Sequence, residues 1–167
     1  SKPKESNTIT IAPLPTINKI EVIQPDFERG QSATYTATVM AGTEDVTANA
    51  AVTIKWFVDD NQPLMIDGVQ ATGASVTIPA DVMATLAGKK ISCKAVVTDA
   101  AGAEVPPETP PTVEVKDEAG NVVADGAQVI PPQSEMNDAE DATDFVVTVK
   151  VGAGTQATLS DGVWFAD

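Results

Sequence analysis

Ala33-Thr34-Tyr35-Thr36-Ala37-Thr38-Val39 alternates without a break, with threonine at every second position and Ala33, Tyr35, Ala37 and Val39 between. Successive side chains of a strand point to opposite faces, so this stretch is a half-buried β-strand, hydroxyls on one side and apolar groups on the other. The same period recurs further along. Val52-Thr53-Ile54-Lys55-Trp56-Phe57-Val58 sets Val52, Ile54, Trp56 and Val58 on one face before Asp59-Asp60-Asn61 breaks it. Ile91-Ser92-Cys93-Lys94-Ala95-Val96-Val97 sets Ile91, Cys93, Ala95 and Val97 inward, and Asp99-Ala100-Ala101-Gly102 then supplies a turn. Lys19-Ile20-Glu21-Val22, Ala74-Ser75-Val76-Thr77-Ile78 and the stretch from Thr112 to Lys116 are the other runs of this series.

Composition agrees with that pattern. The chain of 167 residues holds 21 Val, 10 Ile and 19 Thr against 4 Leu. Val, Ile and Thr lose χ1 freedom in a helix and pack well on a pleated surface, whereas Leu keeps its rotamers in a helix. The fold class expected is all-β. One segment reads otherwise: in Pro79-Ala80-Asp81-Val82-Met83-Ala84-Thr85-Leu86-Ala87-Gly88 a short helix or 3₁₀ turn is expected, with Asp81 as its cap and Gly88 as its end.

Charge and rare residues narrow the chemistry. With 10 Lys+Arg against 24 Asp+Glu the formal charge is −14, which repels nucleic acid and anionic lipid rather than binding them. There is no His and a single Cys, so a Ser-His-Asp or Cys-His site, a His-containing zinc site and an internal disulfide are all excluded. Glycoside hydrolysis by paired carboxylates needs an aromatic-lined cleft, and the seven aromatics are largely committed to cores, Tyr35, Trp56 and Phe145 among them. No catalytic residue and no cofactor is expected. No apolar run approaches a membrane span, and Ser1-Lys2-Pro3-Lys4-Glu5 leads into no signal-type apolar region.

Three segments are expected. Residues 1–16 form an extended N-terminal arm: the alternating patch Thr8-Ile9-Thr10-Ile11 meets Pro13 and Pro15, which lack a ladder donor and suit an edge strand or a tail. Residues 17–116 carry the regular strands. Residues 117–167 form a small β-rich module: a turn at Glu118-Ala119-Gly120-Asn121, short strands at 121–124 and 127–130, a stop at Pro131-Pro132, and the strong strand Phe145-Val146-Val147-Thr148-Val149-Lys150-Val151. A final hairpin follows around Ser160-Asp161-Gly162. A module of that size without a disulfide is marginal alone, so it is expected to dock on the first domain, a second copy or a partner.

Trp164 and Phe165 are the candidate interface residues. As neighbours in a strand they point to opposite faces, so a thin module buries one and displays the other; anchoring in a protein interface and closure of the module's own core both stay open. The acidic stretch from Glu135 to Asp144 offers oxygen ligands for Ca²⁺ but lacks the residue order of an EF-hand loop, and a solvated loop is the preferred reading. Asp59-Asp60-Asn61 and Glu44-Asp45 read as turn residues. No metal site is assigned.

Short strands in this number, a Trp on the third and a Cys on the penultimate one, match the outline of an immunoglobulin-like sandwich. The segments Ile54-Lys55-Trp56-Phe57-Val58-Asp59, Gly73 to Pro79 and Ala87 to Asp99 carry the likeness. Residues 17–116 thus resemble the Ig-like domains of bacteriophage virion proteins and bacterial surface adhesins. The resemblance implies a core signature of Tyr35, Trp56 and Cys93. It departs from the disulfide-bonded pattern: the second strand offers Tyr35 and Ala37 instead of Cys, so Cys93 is expected as a buried free thiol near Trp56. Ile91 stands where a tyrosine corner would have Tyr. The lack of a disulfide fits folding in a reducing cytosol, where phage structural proteins are made.

What the resemblance implies is a non-enzymatic structural protein, a capsid decoration protein on the outer capsid surface of a virion, with the major capsid protein as partner. A second copy of itself and a host-cell glycan stay open as further partners. The alternatives are a bacterial surface adhesin or carbohydrate-binding module, and a phage tail or neck component.

Overall fold

A computed structural model of the chain describes residues 13–125 and 129–138. The arm patch Thr8–Ile11, the strand expected at 145–151, most of the acidic stretch and the pair Trp164 and Phe165 lie outside the described residues.

The described residues are mostly strand, and the protein is all-β. Strands β1 (Lys19–Ile23), β2 (Glu28–Arg29), β3 (Ala33–Ala41) and β4 (Glu44–Asp45) open the chain, followed by β5 (Val52–Val58) and β6 (Gln62–Pro63). The short strands β7 (Met65–Ile66) and β8 (Val69–Gln70) form a separate hairpin, and β9 is Ser75–Ile78. Then come β10 (Ile91–Thr98), β11 (Glu104–Val105), β12 (Thr112–Lys116) and β13 (Val122–Asp125), and after a 3₁₀ turn at Gln133–Glu135 the two-residue strand β14 (Asn137–Asp138). The β7–β8 turn is Asp67-Gly68, both at positive φ, 54° and 79°, the backbone that a two-residue hairpin needs and that Asp and Gly tolerate.

Two sheets result. The first runs β13-β12-β1-β3, with β4 and β9 both pairing β3; β1 and β12 are parallel and the other pairs antiparallel. The second runs β11-β10-β5-β6, antiparallel throughout. Their buried residues form one core: Ile20, Val22, Tyr35, Val39, Ile78 and Val115 from the first, and Ile54, Trp56, Ile91, Cys93 and Val97 from the second. The alternation expected in β3 is there, with Ala33, Tyr35, Ala37 and Val39 buried and Thr34 and Thr36 exposed. Trp56 and Val39 are fully buried. On ordinary scales, burying each such side chain contributes about 1.5–3 kcal/mol before conformational entropy is subtracted.

Local expectations need two corrections. A helix does form, α1 (Ala80–Met83), but its N-cap is Pro79, with no side-chain cap bond; Asp81 lies in the first turn instead. Proline fixes φ just before the first helical residue, and an acidic group inside the first turn still complements the positive helix end. The helix also ends early, with Ala84 as its C-cap, short of Gly88. Of the strand expected at 127–130, residues 127–128 lie outside the described residues, and Val129 makes one antiparallel bridge with Lys90.

The first compact unit runs to Asn137, past the boundary expected at Lys116. Asp117 makes the continuation possible: its Oδ1 accepts the N–H groups of Asn121 and Ala119 at 2.8 and 2.9 Å, closing a turn that lays β13 against β12. Those bonds, that of Asn121 foremost, hold the Asp117 carboxyl below its ordinary range. Ile130 is fully buried and Met136 is 5% exposed, both in the same core. Arg29 reaches across to them, donating from Nε to the Gln133 carbonyl at 3.0 Å and from Nη2 to that of Met136 at 2.9 Å.

Candidate functional site

The sheet edge beside β10 is set by four prolines. Thr98 N–H donates to Ala51 O and Asp99 N–H to Ala103 O. Alternate residues of a strand bond to opposite sides, so even-numbered residues of β10 bond toward β5 and odd-numbered ones toward β11. The β11 register, Val97 opposite Val105 and Thr98 opposite Glu104, would continue with Pro107 opposite Ala95, Thr109 opposite Cys93 and Pro111 opposite Ile91. These are the positions at which both strands must exchange N–H and C=O bonds, and Pro107 and Pro111 have no N–H. The chain therefore leaves β10 after Val105 and crosses through Pro106-Pro107-Glu108-Thr109-Pro110-Pro111. It joins the other sheet as β12, in register with β1 from Thr112 opposite Lys19.

At the other end of β10, the edge is taken up by Ile130, whose N–H donates to Lys89 O at 2.8 Å, beside the Val129 bridge. Between these covers, no strand among the described residues pairs with the outward backbone groups of Cys93 and Ala95. The opposite edge of β5 is occupied: Leu64 N–H donates to Trp56 O, and Trp56 N–H to Ala71 O, both at 3.0 Å.

A cavity of about 700 Å³ opens along this stretch. Ile20 and Val113 line it from the first sheet, Cys93 and Ala95 from β10, Val105 from β11 and Pro110 from the crossover. Ser92 also lines it; its Oγ is shielded from solvent with no hydrogen-bond partner among the described residues. A second cavity of about 470 Å³ adjoins it, lined by Pro15 to Asn18 and sharing Ala95 and Val105.

Tyr35, Trp56 and Cys93 come together beneath this edge. Cys93 stands opposite Trp56 in register, and the Trp56 ring lies 6.0 Å from that of Tyr35, tilted. The indole N–H donates to Gly73 O at 2.8 Å, which satisfies the one polar group of a fully buried side chain. Cys93 is free and buried, and burial pushes its thiol up to about 12, so at neutral pH it is neither a nucleophile nor a metal-ready thiolate. Burial also raises the Tyr35 phenol, whose oxygen has no partner among the described residues.

The outer surface is ordinary by comparison. Lys19, Glu21, Glu114 and Lys116 form a charge lattice across β1 and β12, with contacts from 2.9 Å (Lys19–Glu21) to 3.8 Å (Lys116–Glu21). The Lys19 ammonium beside it holds the Glu21 carboxyl below its usual range. Such exposed pairs contribute little to stability. Lys94 Nζ sits 4.7 Å over the Phe57 ring. Asp45 accepts the Thr47 N–H and Asp59 the Lys90 N–H, each at 2.9 Å, so both acids serve turns. Among the described residues no group of three or more Cys, Asp or Glu is placed to hold a metal ion.

Sequence reading did not single out this edge, although part of its signal is in the chain: Pro107 and Pro111, beyond a short strand, cannot donate to it. The candidate interface pair, Trp164 and Phe165, lies outside the described residues. No family model, no curated protein and no solved structure matches this chain.

Proposed function

We propose that the chain is a non-enzymatic structural protein built on an immunoglobulin-like sandwich, acting as a phage capsid decoration protein. One observation carries the fold part of this reading, the pairing order: β1-β3-β9 in one sheet and β5-β10-β11 in the other. The immunoglobulin arrangement likewise puts the first, second and fifth strands in one sheet and the third, sixth and seventh in the other. Trp56 on the third of these strands, packed beside Cys93 on the sixth, supports the same assignment.

The functional part rests on the resemblance in residues 17–116 and on the surface. An acidic chain that carries −14 charges resists sticking to nucleic acid and to its own kind when displayed densely. The major capsid protein is the proposed partner, and the outer capsid surface the proposed location. Loops gathered at the ends of a sandwich leave the rest of the module free to face solvent.

Mixing the purified chain with empty phage shells and with host cells tests the reading. Stoichiometric binding to a shell is expected. Failure on every shell together with saturable binding to a glycan would replace it with an adhesin or carbohydrate-binding module.

A further inference from the structure

We draw no further inference here: the strongest candidate, the apolar cavity beside β10 between Ile20, Val113 and the proline crossover, carries none because nothing in the structure shows what covers it.

Discussion

Cys93 is the residue at which burial has the most readily measured consequence. Its thiol ionises near 9.0 when exposed and near 12 in the fold. Below pH 9 the folded and unfolded chains hold the same proton; between pH 9 and 12 the unfolded chain gives it up first. Stability therefore falls as pH rises through that window, by up to about 1.4 kcal/mol per pH unit. Tyr35, also raised by burial, adds a loss of the same sign from about pH 10. Denaturant unfolding at stepped pH should show wild-type stability falling from about pH 9, and Cys93→Ala holding level until about pH 10; an identical onset in the two would contradict the burial of this thiol. The inward placement of Tyr35, Trp56 and Cys93 was legible from alternation alone, since in a strand the face of a residue follows from counting. Alternation did not give their mutual contacts, which register brings about; the nearness of Cys93 to Trp56 was expected only from the immunoglobulin-like resemblance.

At the scale of elements, the long strands β3, β5 and β10 were readable because each spans several alternations. β6, β7, β8 and β11 are two residues each, too short for any period to appear. The parallel pairing of β1 with β12 joins positions more than ninety residues apart and depends on the proline crossover, which the alternation of neither strand encodes. The stretch 117–137 read as part of a separate module because its turn and prolines interrupt the pattern, yet β13, Ile130 and Met136 belong to the first core. A consequence follows for truncation. A chain ended after Lys116 loses β13 and both buried side chains, whereas one ended after Asn137 keeps them. Loss of a buried Ile or Met side chain alone costs about 2–5 kcal/mol, so urea unfolding should find the shorter chain less stable by at least about 2 kcal/mol. Equal midpoints would place the end of the core at Lys116 after all.

For the molecule as a whole, the all-β class was decided by composition and the main strands by pattern, but the inequality of the sheet edges was not visible in either. The first sheet closes with β13 on one side and with β4 and β9 on the other, and the second protects β5 with β6 and the segment 71–73. Among the described residues no strand pairs with the outward groups of Cys93 and Ala95, and Pro107 stands where a partner of Ala95 would have to donate. A strand edge without a neighbour is a hazard unless something covers it. Residue-resolved amide hydrogen exchange on the full-length chain tests this account most directly. The N–H groups of Ser92, Lys94 and Val96, which face β5, should be protected, while those of Cys93 and Ala95 exchange about a hundredfold faster despite their buried side chains. Equal protection along all five would mean that a strand already covers β10, and that no open edge exists.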